Sequence, residues 1–200
     1  MASRLLMVRH AERPEIKKGV VGNGVSITED GVSQTQLFAK NVKEPVVSIK
    51  SSPVLRCIQT ARIIADTLHI NPAVIKTSKL LGDPGFFIND GDLAWQSWQE
   101  KGCDEVNQHL LTGTETWPGF HDFHSATSNM VDQIKKELMN NDPGTCIWIT
   151  HDTMLATLAS RVLPEPLTLA DWPCFLGMLI VTCEHDGIFR YVYSPKSPHM

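Results

Sequence analysis

Three short stretches of this 200-residue sequence place reactive side chains where an apolar run stops. "RLLMVRH" (4–10) ends on Arg9-His10, "VVSIKSS" (46–52) runs into Pro53 and Arg56, and "TCIWITH" (145–151) ends beside Asp152. Arginine forks pair bidentately with phosphate oxygens, and a helix N-terminus adds inward N–H groups. Ser52 suits an N-cap and Pro53 a first helical position, which puts Arg56 in a first turn facing the same anion. A neutral imidazole among such cations can attack phosphorus in line and carry the phosphoryl group as phosphohistidine. The cations lower its pKa and keep its lone pair free. A second imidazole, protonated, would stabilise the equatorial oxygens, and an acid would protonate the leaving alkoxide. Taken singly, each residue is ordinary: strand-end histidines are usually structural, Arg9 and Arg13 read as surface ion-pair partners, and Ser-Pro often starts helices. Only convergence on one rim gives them this chemistry.

Convergence depends on the elements between them. The apolar runs are too short for helices and rich in Val and Ile, as buried strands are, and "AVIKTS" (73–78) reads as another. Helical periods separate them. Val54, Ile58, Ala61, Ala65 and Leu68 form one apolar face, and "ITEDGVSQTQLFAKNV" (27–42) starts a helix at Thr28 with acids in its first turn. Val131, Ile134 and Leu138 mark a further helix, and Leu155, Leu158, Ala159 and Val162 one after His151. "GMLIVTC" (177–183) and "GIFRYVY" (187–193) flank "EHDG", which predicts a turn into an antiparallel hairpin. Strands alternating with helices imply a three-layer α/β/α sandwich in a single domain, 1–200, with a mainly parallel sheet. Ligands of such sheets bind beyond the carboxyl ends of the strands, the rim that receives Arg9, His10, Arg56 and His151.

Residues 83–125 break the rhythm and hold three of the five tryptophans. They read as an insertion or lid over one edge of the sheet, partly helical around 92–111. Its Phe86, Phe87, Trp95, Trp98, Trp117 and Phe120 either line a leaving-group pocket or pack the insertion onto the sheet.

A formal charge of −4 gives no electrostatic case for nucleic acid or an anionic membrane surface. No apolar run reaches the ~18 residues of a membrane span, and no secretory signal is recognised. Five cysteines without a C-x-x-C spacing suggest neither a zinc ribbon nor a redox pair, and Cys146 and Cys183 read as buried thiols. A reducing, cytoplasmic setting is expected. His121 and His124 lack a third ligand at metal-site spacing, so no metal or cofactor is expected. "GVVGNGV" (19–25) does not join a strand to a helix, which argues against a dinucleotide loop; substrate contact as a flexible rim near Arg13 is the lesser alternative to a plain surface loop. Cys57 and Arg62 are spaced C-x4-R, where a cysteine phosphatase needs C-x5-R.

"VRHAER", "SSPVLRCIQTA" and "ITHDTML", in that order across 8–154, resemble the histidine phosphatase superfamily, the phosphoglycerate mutase-like fold. The resemblance implies that His10 is the phosphorylated nucleophile, that Arg9 and Arg56 hold the phosphate, and that His151 completes the pocket. Ala11 departs from it, standing where many members carry glycine, and its methyl bears on how closely backbone approaches the phosphate. Two acids compete. The mutase-like branch takes a carboxylate from a loop after its third strand, where "KLLGDPG" offers Asp83. The acid phosphatase and phytase branch uses the Asp after its second histidine, matched by Asp152, and an arginine three residues past the nucleophile, matched by Arg13. Its proline soon after is also present, though Pro14 comes one position early. Asp152 is favoured because it needs no loop to hold it, with Asp83 then orienting water or substrate. Glu12 is a third carboxylate, read as solvated or Arg-paired.

The expected enzyme is a metal-independent phosphatase. It would hydrolyse a small phosphomonoester through phospho-His10 and release inorganic phosphate, with Arg9, Arg13, Arg56 and His151 binding the phosphoryl group. The alternatives are a phosphomutase using the same phosphohistidine and a catalytically idle phosphate-binding protein. The insertion offers no basic patch for a second phosphorylated group, which favours hydrolysis.

Overall fold

Alternation along the first strand sets the layering. In a computed structural model describing residues 3–17, 19–184 and 187–197, β1 (Ser3–Arg9) sends Leu5 and Met7 to one face and Leu6 and Val8 to the other. β4 (Thr145–Thr150) does the same, with Cys146 and Trp148 against Ile147 and Ile149. A strand apolar on both faces must be covered on both. The sheet runs β3-β2-β4-β1-β5-β6, with β2 (Val46–Ser51) and β3 (Lys76–Thr77) on one side of β4. β5 (Met178–Cys183) and β6 (Phe189–Ser194) lie beyond β1. β3, β2, β4 and β1 are parallel, β5 is antiparallel to β1, and β6 is antiparallel to β5. This is the expected α/β architecture with its antiparallel final pair; His185 and Asp186 of the expected turn lie outside the described residues.

One core holds Phe38 and Ala39 of α1 (Glu29–Lys40) with Cys57, Ala61 and Ile64 of α2 (Leu55–Thr67). α1 starts as expected: Thr28 Oγ1 accepts the Gly31 N–H at 2.9 Å, with Glu29 and Asp30 in the first turn. The other core joins α4 (Cys103–Thr112), α5 (Phe123–Asn140) and α6 (Asp152–Val162), while α3 (Gly91–Lys101) stands beside α4. Each fully buried Leu, Ile or Met in these cores contributes roughly 1.5–3 kcal/mol over exposure, which fixes the strand ends.

Four expectations are corrected. The N-cap of α2 is Val54, not Ser52, and Pro53 lies outside the helix; the Ser52 hydroxyl accepts the Val54 N–H at 3.3 Å and the His151 Nε2–H at 2.9 Å, short of the first helical turn. The third strand shortens to Lys76–Thr77: it pairs only with Lys50 and Ser51, and Pro72–Val74 forms a 3-10 turn instead. The insertion is helical where expected, but it packs over a face rather than an edge. Phe87, Val106, Leu110 and Phe120 share a core with Leu5, Met7 and Leu155. Cys146 is buried, whereas Cys183, at the end of β5, is only half-buried. Among the described residues no helix is long and apolar enough to cross a membrane.

Candidate active site

The parallel pairing of β1 with β4 delivers two histidines side by side. Arg9 lies opposite Thr150, the His10 N–H donates to the Thr150 carbonyl at 2.9 Å, and the imidazoles of His10 and His151 stand 5.4 Å apart edge to face. β2 continues into Ser52, whose N–H donates to Ile149 O at 2.9 Å, and α2 then brings Arg56 in its first turn. Beneath them, Thr60 Oγ1 accepts the Ala11 N–H at 3.0 Å and donates to Arg56 O at 2.8 Å. The Ala11 methyl is packed into the core below, with no exposure.

The hydrogen bonds fix the tautomers. His10 Nδ1 lies 2.7 Å from Ala11 O, and a carbonyl only accepts, so Nδ1 carries the proton. Arg56 Nε donates to His10 Nε2 at 3.0 Å, so Nε2 holds the lone pair. Arg56 Nη2 likewise donates to His151 Nδ1 at 3.2 Å, which leaves His151 Nε2–H donating to Ser52 Oγ at 2.9 Å. Burial first, then each other's charge and the arginines, push His10 well below the ordinary imidazole value. Burial and Arg56 push His151 down to about 3. With only protein groups around it the second imidazole is therefore neutral, contrary to the protonated form expected.

Arg9 is clamped by a segment that sequence reasoning missed. Its Nη1 donates to Pro173 O at 2.6 Å, its Nη2 pairs with Asp152 Oδ2 at 2.9 Å, and its guanidinium lies 4.2 Å above the Phe175 ring. Burial alone would raise the Asp152 carboxyl, but Arg9, His10 and the Thr153 N–H bring it down to about 2. Arg13 stands near Arg9, Arg56 and Asp152, with Nη1 donating to Pro14 O at 2.9 Å. The Nε atoms of Arg9 and Arg13 are buried and donate to nothing among the described residues. Three guanidinium groups thus gather around His151 beside His10, each with an N–H to spare.

Asp83 reaches the same pocket from the other side. Thr150 Oγ1 donates to Leu81 O at 2.7 Å, pinning the loop after β3 to the strand that carries His151. Gly82 follows at φ 144°, and a Cβ there would lie 2.4 Å from His151 Cδ2, so only glycine lets the loop pass. A pocket of about 380 Å³ is lined by Arg56, His151 and Asp152 at one end and by Asp83, Trp95 and Trp98 beyond. Val21 and Asn23 of the 19–25 loop also line it, and Gly22 O accepts from Arg56 Nη1 at 2.9 Å. That loop is a rim of the pocket, not a plain surface loop. Phe86, Phe87 and Phe120 are instead buried in the core, and Trp117 stacks on His109 at 3.6 Å. His121 and His124 flank Asp122, the N-cap of α5. Of the contributors missed, Thr60 stood inside the quoted "SSPVLRCIQTA" block, whereas nothing local marks Pro173 or Phe175.

A parallel sheet whose strand ends hold two imidazoles among three arginines presents a cationic cluster with the chemistry to bind a phosphoryl group. The model of the histidine phosphatase superfamily (branch 1) matches residues 5–187, and the chain belongs to that superfamily. Among solved structures it is similar to mycobacterial glucosyl-3-phosphoglycerate phosphatase, with TM-score 0.65 and 17% identity over 98% of this chain and 100% of that one. Phosphoserine phosphatase from Entamoeba histolytica, in complex with 3-phosphoglyceric acid, gives 0.63 and 15% over 96% of each chain. Phosphoglycerate mutase from Bacillus anthracis gives 0.59 and 14% over 98% and 94%. At these identities the likeness is one of fold. A search of curated protein sequences finds no match.

Proposed function

We propose that the chain acts as a single domain over 1–200 and hydrolyses a small phosphomonoester through phospho-His10, using only its own side chains. The observation that carries this reading is the His10 tautomer: Nδ1–H is committed to Ala11 O, and Nε2 presents its lone pair among the arginines. Nε2 attacks phosphorus as the bond to the leaving oxygen breaks. Arg56 and the spare Nε–H groups of Arg9 and Arg13 bind the equatorial oxygens. A phosphoryl dianion beside His151 raises its proton affinity, so that this imidazole can also donate as charge develops.

Asp83 is the better acid. Asp152 is paired with Arg9 and held ionised, so it has no proton to give the leaving group. Asp83 is exposed on the pocket wall, makes no ion pair among the described residues, and occupies the loop that the mutase-like branch uses. It protonates the leaving alkoxide, then takes a proton from the water that displaces His10 from phosphorus and releases inorganic phosphate. Hydrolysis is favoured over mutase chemistry because, among the described residues, Arg56 is the only Lys or Arg lining the pocket, so a second phosphate would find no cation of its own there.

The test is phosphate release from para-nitrophenyl phosphate with chelator present. His10→Ala is expected to lower kcat by at least about 10⁴-fold. Rapid quenching should trap an acid-labile phosphoryl group on the wild type and none on the variant. Equal turnover in both proteins overturns the nucleophile. With 3-phosphoglycerate, which carries a second acceptor hydroxyl, an isomerised phosphoester as product in place of free phosphate favours the mutase.

A further inference from the structure

We propose that this pocket selects phosphomonoesters whose leaving group is aromatic and uncharged, with the Trp95 indole as the surface on which it stacks; the proposal rests on the hydrolytic reading above and names its substrate class. α3 turns one face toward the phosphate end. Gly91, Ala94, Trp95 and Trp98 follow one another at steps of three, one and three, and all line the pocket. Trp98 is backed by Phe120, ring centres 5.7 Å apart, and so forms a fixed wall. Trp95 makes no ring contact among the described residues and is half-buried, which leaves an indole face free for a ligand. Ile88 and Met154 extend the apolar surface between the two ends.

Charge sharpens the choice. Away from Arg56 and His151 the ionisable wall consists of carboxylates, Asp83 and Asp92 beside the Arg9-paired Asp152, with no lysine or further arginine among the described residues. A leaving group bearing a carboxylate or a second phosphate would face the Asp92 charge even with Asp83 protonated, and would find no cation among these lining residues. A flat neutral ring loses nothing to them and stacks on the indole. Pockets of a few hundred Å³ with an apolar wall and a few polar groups at one end take ligands of this shape.

Binding and turnover are measured with four esters: phenyl phosphate, 1-naphthyl phosphate, 3-phosphoglycerate and phosphocholine. Calorimetry on His10→Ala, which removes the nucleophile and keeps the pocket, should give 1-naphthyl phosphate an affinity at least about tenfold above 3-phosphoglycerate. In the His10 protein, Trp95→Ala should lower kcat/KM for the aryl esters by about tenfold and leave 3-phosphoglycerate within about threefold, while Trp95→Phe keeps most of the aryl rate. Asp92→Lys should raise the 3-phosphoglycerate rate without improving the aryl esters. These variants also serve if Trp95→Ala fails to fold. Equal or tighter binding of 3-phosphoglycerate or phosphocholine overturns the proposal, as does a Trp95→Ala protein that loses all esters alike. Failure of the hydrolytic reading looks different: His10→Ala still prefers the naphthyl ester, but the wild type turns over none.

Discussion

Around the proposed phosphate site, His10 and His151 leave adjacent strands and are 2% and 9% exposed, and Arg56, between them, is 7% exposed. Each of the three nitrogens of Arg56 donates once, to an imidazole or a backbone carbonyl. At the leaving-group end, Asp83 sits on a loop and Asp92 and Trp95 on α3; both acids are exposed and the indole is half-buried. The first end is built by sheet register, so its geometry is set before a ligand arrives. The second is built from the loop after β3 and a helix at the surface, where a side chain can change without disturbing a core. On the proposed reading, chemistry sits where the backbone leaves no choice, and selectivity sits where it does.

The largest effect that would test this contrast is at Arg56. Arg56→Ala should lower kcat/KM by about 10²–10³-fold, and by the same factor for aryl and alkyl esters, since it touches only the common phosphoryl group. A loss that depends on the leaving group would break the division between the two ends. Asp83→Asn should behave in the opposite way. Steady-state kinetics should show a fall of about 10²-fold on glycerol 2-phosphate, whose alkoxide needs a proton, and far less on para-nitrophenyl phosphate. Asp152→Asn, which frees Arg9, should slow both esters alike; the reverse pattern would make Asp152 the acid.

A smaller effect concerns stability. Both active-site imidazoles are held below their ordinary value of 6.5, so the unfolded chain binds protons that the folded chain refuses. Their contribution is whole above pH 6.5 and is lost as pH falls toward the folded values, about 3 for His151. Urea unfolding should weaken by about 1.4 kcal/mol per pH unit for each imidazole below pH 6.5, and His151→Asn should remove one such increment from the slope. Asp152, held down to about 2 from 3.8, adds its loss only below pH 3.8, at the acid end of that range. An unchanged slope in His151→Asn would mean that the buried end is looser than its hydrogen bonds imply. The smallest change is Thr60→Val, which deprives the buried Ala11 N–H of its acceptor. It should cost about 1–3 kcal/mol in the same assay while leaving the ratio of aryl to alkyl turnover untouched.

Much of the phosphate end was legible in the residues. Apolar runs that stop at Arg9-His10, Ser51-Ser52 and His151, with helical periods between them, are local patterns, and a parallel sheet brings the carboxyl ends of its strands to one rim. The α1 cap at Thr28 and the helical content of the insertion were equally local. Ser52 shows where that reading stops: its place before a helix suggests a cap, but its hydroxyl accepts from His151, 99 residues away.

By itself, then, the sequence determined the layered α/β fold and the delivery of His10, His151, Arg9 and Arg56 to one place. Periodicity and topology carry that information, and both are written in short windows. Only the tertiary structure decided the protonation of the two imidazoles, the clamp of Pro173 and Phe175 on Arg9, and the ion pair that holds Asp152 charged. It also decided which aromatics of 83–125 face the pocket and which fill the core. A proton's position depends on the donor or acceptor opposite it, and here those partners lie up to 164 residues apart along the chain.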